Sequence, residues 1–194
     1  PLLDMFHNLG ELTVPIAEET VETQKLDDIA ELDFPIDFIK MDIQGAELQA
    51  LEGAQHKVLK NTLVIQSEVE WVPMYKNQPL FSEIELFLRT QGFVLHKIMG
   101  FGTRSFKPIV IRNNKNVGPQ QLWSDVIFIR DFTRLNLLSP AQLLKMAVIM
   151  HEVYQSVDLA LIILQEYDKQ RQTALSQEYL AALTGQSAAD ETAA

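Results

Sequence analysis

Asp42, Gln44, Glu68 and Glu70 have the side chains of a binding crevice, and they fall at the ends of two apolar runs, residues 36–43 and 63–71. In an extended segment, residues two apart share a face. Lys40 with Asp42, and Glu68 with Glu70, are such pairs. Carboxylates placed this way can take a proton from a hydroxyl or hold hydroxyls by hydrogen bonds, and neighbouring carboxylates shift one another's pKa. Lys40 is a candidate for a buried ion pair with Asp42 or Glu68. Trp71, Tyr75 and Gln78 follow on a loop bounded by Pro73 and Pro79, well placed to cover a pocket. Each residue also has a structural role open to it. Asp42 could cap the turn at Gly45, the glutamates could be a solvated strand end, and the aromatic rings could simply pack the loop.

Positioning these residues requires a strand, a turn, a helix and a second strand. Residues 36–43 are rich in β-branched and aromatic types, as in a strand buried on both faces of a parallel sheet. Gly45 supplies a tight turn, and Leu48, Leu51, Ala54 and Val58 then recur at helical spacing. Glu47 lies in the first helical turn, where the helix dipole favours negative charge whatever else the residue does. Residues 63–71 read as the next strand. In such βαβ units ligands sit outside the carboxyl ends of the strands, where the four polar residues collect.

Upstream, a short strand is expected near residues 12–14 and another over residues 19–23, followed by a short helix from Leu26 to about Leu32. Asp27 and Asp28 open that helix; they read first as an acidic helix start and, less strongly, as metal ligands. Downstream, Ser82 and Glu85 have capping-box spacing for a helix burying Ile84, Phe87 and Leu88 and ending at Gly92. Strands are expected over 93–98, 107–112 and 122–130, the last two pairing as an antiparallel hairpin at the end of the sheet. Ser139-Pro140 opens an amphipathic helix to about Tyr154, and a second runs from about 156 to 183 with a break near 170–173. The expected organisation is a sheet domain over 1–135, a helical pair over 139–184 and a disordered tail over 185–194.

The composition narrows the partners. Of 194 residues, 47% are hydrophobic and 22% charged, enough for one good core. A formal net charge of −10 argues against a nucleic-acid backbone or an anionic membrane as the main partner. The absence of cysteine removes disulfides and thiolate metal sites and fits a reducing cytoplasm. The four histidines are not spaced as a metal pair, and no metal is expected. No apolar run reaches transmembrane length, and no signal peptide is recognisable. The chain opens on Pro1 and its first residues read like the middle of something, so a piece of a longer protein is expected.

Taken together, Leu26-Asp27-Asp28-Ile29, Phe38-Ile39-Lys40-Met41-Asp42-Ile43-Gln44-Gly45-Ala46-Glu47, Leu51-Glu52-Gly53-Ala54 and Glu68-Val69-Glu70 resemble the FkbM family of S-adenosylmethionine-dependent methyltransferases. Gln78-Pro79-Leu80-Phe81, Gly92-Phe93 and Asp125-Val126-Ile127-Phe128 fit the same pattern. The resemblance spans about residues 20–131 and implies an α/β fold: the C-terminal part of a Rossmann-like seven-stranded methyltransferase sheet, strands four to seven, with a helical tail. It implies O-methyl transfer to a sugar or polyketide-like small molecule, with S-adenosyl-L-methionine as cofactor. Asp42 would touch the methyl donor or the acceptor hydroxyl, and Gln44 would join it at the cofactor. Glu68 or Glu70 would serve as base, with Lys40 beside them, and Trp71, Tyr75 and Gln78 would line a sugar-binding lid.

One departure is large. The family's glycine-rich turn after the first strand has no counterpart upstream of residue 36, where Gly10 is the lone glycine. The chain is therefore expected to lack a complete cofactor site. The rival readings are a non-catalytic module that binds a partner, or a second copy, through its terminal helices, and a nucleotide-sugar glycosyltransferase. The latter would be expected to carry an Asp-x-Asp motif, which the adjacent Asp27-Asp28 does not supply.

Overall fold

The computed structural model describes residues 2–12 and 14–185, and these form two compact units that divide between Ile129 and Arg130. From residue 186 on, the expected tail lies outside the described residues. So does part of the strand expected near 12–14, and Leu9–Leu12 is a single helical turn, α1. Residues 14–24 carry no regular structure, so no strand forms over 19–23. The expected helix at Leu26 is only a 3-10 turn, Leu26–Asp28.

The first unit is built on a mixed four-stranded sheet of order β1-β2-β4-β3: β1 Phe38–Met41, β2 Val64–Glu70, β3 Phe93–Arg104 and β4 Gln120–Arg130. Strands β1 and β2 run parallel, and β4 pairs antiparallel with β2. Helices α2 (Glu47–Glu52), α3 (Val58–Asn61) and α4 (Phe81–Thr90) supply the cover. Their Leu51, Val58, Leu59, Ile84 and Leu88 pack with Met41, Ile65, Val69, Val126 and Phe128. The period-2 alternation of β2 places Ile65 and Val69 in that core and leaves Gln66, Glu68 and Glu70 on the other face. The run at residues 36–43 is less buried than its composition implies. Met41 alone is buried within β1, because β1 is an edge of this sheet.

The late strands also differ from expectation. Residues 107–112 form no strand; Pro108 has no N–H to give a ladder, and the chain turns at Arg112 and Asn113, both with positive φ. Instead β3 continues through Gly100 and Gly102 to Arg104 and neighbours β4, which is thereby inserted between β2 and β3. Gly102 is there for space: a Cβ would sit 2.0 Å from the Trp123 indole. At α4 the cap is Leu80, whose N–H donates to the Glu83 carboxylate at 2.8 Å. Ser82 is already inside the helix, and Glu85 pairs with Arg89 instead.

Among the described residues the second unit holds a 3-10 segment, Phe132–Leu137, and three α-helices rather than a pair: α5 Pro140–Glu152, α6 Val157–Arg171 and α7 Leu175–Thr184. Ser139 and Gln142 close a capping box over α5. Leu143, Met146, Ala147 and Met150 of α5 are buried, as are Ala160, Ile163 and Leu164 of α6. The break falls at Gln172, which is left-handed. Asp168 then accepts N–H bonds from Leu175 and Ser176 at the start of α7. An open, mainly apolar groove of about 470 Å³ runs among these helices. Among the described residues no helix is long and apolar enough to cross a membrane.

Candidate functional site

Register assembles the crevice. Met41 pairs with Ser67, so Asp42, the first residue past β1, comes beside Glu68 of β2. Glu68 in turn pairs with Asp125 of β4, so carboxylates from three adjacent strands lie in a row. Gln66 Nε2 donates to Asp125 Oδ1 at 2.9 Å. Asp125 was missed by sequence reasoning as a site residue. The available signal was the one acidic residue of its strand, readable only once its register with Glu68 is known.

The turn that follows β1 is held by Glu47. Its Oε1 accepts from Ile43 N–H at 2.8 Å and its Oε2 from Gly45 N–H at 2.9 Å, and the residue is 1% exposed. Glu47 is therefore the clamp of this turn, and Asp42 is free of that task. Gly45 has φ +102°, and a Cβ there would meet Gln78 Nε2 at 3.0 Å and Tyr75 Cδ2 at 3.1 Å. The glycine thus lets the 72–80 loop close onto the turn.

Two side chains latch that loop. Gln78 Oε1 accepts from the N–H groups of Met74 and Tyr75 at 2.8 and 3.1 Å. The Tyr75 hydroxyl donates to Gln44 Oε1 at 2.8 Å. Gln44 Nε2 then donates to Asp42 Oδ1 at 2.6 Å and to Glu68 Oε2 at 3.2 Å. These hydrogen bonds bring Asp42, Gln44, Glu68, Tyr75 and Gln78 together.

Lys40 and Trp71 are not. Lys40 is exposed and makes no ion pair with Asp42 or Glu68; on an edge strand its ammonium stays in water rather than entering the sheet. Trp71 stacks against Phe81 at 4.8 Å between ring centroids, and its N–H donates to Ser124 Oγ at 2.9 Å. Its ring and its polar tip are both already engaged in packing.

The electrostatics follow from one sign of charge at short range. Glu68 is pushed up to about 7, first by burial, then by the charge of Asp42 and a hydrogen bond shared with it, then by Asp125 and Glu47. Glu70 also rises to about 7, through burial and the charges of Glu47 and Glu68. It is 1% exposed, and neither of its oxygens has a hydrogen-bond partner. The Gln78 amide and the Glu70 backbone N–H beside it pull the value back down, though neither reaches standard hydrogen-bond geometry. Burial and the same carboxylates hold the Tyr75 phenol above its ordinary range. Asp27, read as a possible ligand, instead accepts the N–H groups of His56, Lys57 and Val58. Among the described residues no group of His, Asp or Glu is arranged to hold a metal ion.

A row of carboxylates beneath a latched loop can accept a proton from a hydroxyl and hold a polar ligand. Residues 4–95 match the methyltransferase FkbM domain. The match takes in β1, β2, α2 to α4 and the start of β3, and with them every residue of the crevice except Asp125. The FkbM segment ends before β4 and the helical unit. No curated protein and no solved structure matches the chain.

The crevice fits a sulfonium donor on one side only. Its carboxylates suit a cationic group and hydroxyls, but among the described residues no strand followed by a glycine turn lies upstream of β1.

Proposed function

We propose that the chain takes part in S-adenosylmethionine-dependent O-methylation of a hydroxyl on a sugar or polyketide-like small molecule. The observation that carries this reading is Glu68: a carboxylate at a strand end, beside Asp42, holding its proton up to about 7, inside the segment that matches the FkbM domain. A base with that affinity can take a hydroxyl proton near neutral pH and release it again afterwards. S-adenosylmethionine, when bound, supplies the methyl group on a sulfonium that leaves as a neutral thioether.

The chain's own residues do the rest. Glu68 accepts the proton of the acceptor hydroxyl as that oxygen gains its methyl. Asp42 and Gln44 orient the reacting groups at the mouth of the crevice, and Glu70 keeps the floor acidic. Tyr75 and Gln78 hold the loop against the turn at Gly45, fixing the reacting groups in place. Trp71 supports the loop from the core.

Isothermal titration with S-adenosylhomocysteine tests the reading. Binding that weakens at least about tenfold in Asp42→Asn, an amount set by one charge-assisted hydrogen bond, supports it. With a methyl acceptor in hand, Glu68→Gln should lower turnover by about 10²- to 10⁴-fold at unchanged S-adenosylhomocysteine affinity. No binding of S-adenosylhomocysteine, by the chain or by a version extended upstream, overturns the reading.

A further inference from the structure

We propose that the loop joining β3 to β4, residues 105–119, docks on the surface of a bilayer that contains anionic lipid. The contact is peripheral and independent of the methyl-transfer reading, since it needs neither cofactor nor acceptor.

The first observation is charge. The chain as a whole carries −10, yet it has no Asp or Glu from residue 86 to residue 124. Arg89 in that stretch answers Glu85. The cations that follow, Lys97, Arg104, Lys107, Arg112 and Lys115, enter none of the ion pairs formed among the described residues. Arg104 is engaged within the loop, lying over the Trp123 ring at 5.0 Å and donating to Asn116 O at 3.3 Å. Lys107, Arg112 and Lys115 are exposed. Net charge, which argues against an anionic surface for the chain as a whole, therefore does not describe this loop.

The second is apolar exposure among those cations. Ile109 is 60% exposed and Phe106 42%, and Val110 and Val117 are exposed with them. Met5, also exposed, joins the cluster, because its carbonyl accepts from Lys107 N–H at 2.8 Å. Single apolar side chains at a surface are ordinary, but a group of them among like charges marks a contact surface.

The third is a backbone whose donors are already met. Lys107 N–H is bound to Met5 O, Pro108 has no N–H, and Ile109 N–H donates to Phe106 O at 3.0 Å. The Ser105 hydroxyl donates to Ile109 O at 2.8 Å, and His7 Nε2 lies 3.1 Å from the same oxygen. Unmet backbone groups are what make irregular chain costly to take out of water. Behind the tip, Phe6 stacks on Phe106 with ring centroids 4.8 Å apart, so the apolar side chains stand on a fixed base. These features choose among anionic partners. A nucleic acid would use the cations and could stack a base on Phe106, but it gains nothing from Ile109, Val110 and Met5. A bilayer uses both sets: headgroups meet the Lys and Arg side chains, and the aliphatic tips enter the boundary of the acyl chains.

Co-sedimentation of the whole chain with vesicles tests the proposal, using phosphatidylcholine alone against phosphatidylcholine with about 30% phosphatidylserine. Partitioning should be at least about tenfold stronger on the anionic vesicles, and salt at about 0.5 M should remove the difference. Lys107→Glu and Arg112→Glu should each weaken it about tenfold or more, as reversing one charge at an anionic surface dictates. Lys60→Glu makes the same change of net charge at the end of α3, by the far end of β2, and should leave partitioning unchanged. Ile109→Ser should weaken it about fivefold or more, because its side chain no longer enters the acyl boundary. All four positions are exposed, so circular dichroism melts of the variants should match the parent. Sedimentation with neither vesicle, or equally with both, overturns the proposal. So does an Ile109→Ser variant that partitions like the parent while the charge reversals at Lys107 and Arg112 abolish binding, which would mark the loop as a site for a nucleic acid or an acidic protein.

Discussion

Asp27 and the Glu68–Glu70 pair are carboxylates of the same unit with opposite surroundings. Asp27 Oδ2 accepts from His56 N–H at 2.7 Å, and Oδ1 accepts from Lys57 and Val58 N–H at 3.0 and 2.9 Å. Burial alone would raise its pKa, but those bonds outweigh it and hold Asp27 below the usual carboxylate range. Glu68 and Glu70 lie on β2, where burial and neighbouring carboxylates outweigh what hydrogen bonding they receive. The supply of unused N–H groups decides the outcome. Three are free where the chain enters α3, so a carboxylate there fastens the segment before β1 to the core. On β2 no comparable set of N–H groups converges on Glu68 or Glu70, and burial with like charge raises their pKa values.

The largest effect should come from removing the satisfied carboxylate. Asp27→Ala leaves three N–H groups without their acceptor and should lower the unfolding free energy by about 2–3 kcal/mol. Urea denaturation followed by tryptophan fluorescence measures this in the right place, since the two tryptophans, Trp71 and Trp123, both lie in the first unit. A loss below about 0.5 kcal/mol would mean that water replaces the carboxylate freely, and the contrast would fail.

Removing the unsatisfied carboxylate should act in the other direction. Glu70 titrates near 7 when folded and near 4.5 when unfolded, so the folded state holds the extra proton between those values. Its contribution is fully present below about pH 4.5 and lost as pH rises to about 7. Glu70→Gln should therefore stabilise the protein at about pH 8 by roughly 1–2 kcal/mol and flatten the decline across that window. Asp27 has the opposite sign: its stabilisation is present at neutral pH and lost as pH falls through its lowered pKa. Stability measured against pH in the two variants separates the regions. A Glu70→Gln variant less stable at about pH 8 than the parent would show that the carboxylate has a partner after all.

The same contrast explains what the sequence made legible. Local periodicity was enough for β1, β2, α4, β4 and the start of α5, because each is an apolar pattern bounded by a turn or cap residue. It was enough to gather Asp42, Glu68, Tyr75 and Gln78 at one strand end. It could not supply register, so Asp125 was missed, β4 was put beside residues 107–112 rather than between β2 and β3, and Lys40 was expected inside a sheet whose edge it occupies. Nor could it tell a carboxylate that clamps backbone from one left bare. Asp27, Glu47 and Glu70 look alike in a sequence; the distances to N–H groups separate them.

Tyr75→Phe probes the smallest difference, the tie between lid and crevice. The hydroxyl's single bond to Gln44 Oε1 is exposed, so its loss should change global stability by no more than about 0.5 kcal/mol. The consequence should appear at Glu68. Tyr75 fixes the orientation of the Gln44 amide, and that amide donates from Nε2 to the Glu68 carboxylate, which favours the ionised form. Without the anchor the amide spends less time on Glu68, and the glutamate should titrate higher by about 0.3 of a pH unit, equivalent to a few tenths of a kcal/mol. Carbon-detected NMR of the side-chain carboxyl reads this directly. A shift downward would mean that Gln44 presents its oxygen rather than its nitrogen to the acid row. The Tyr75 phenol would then be holding a repulsive contact in place.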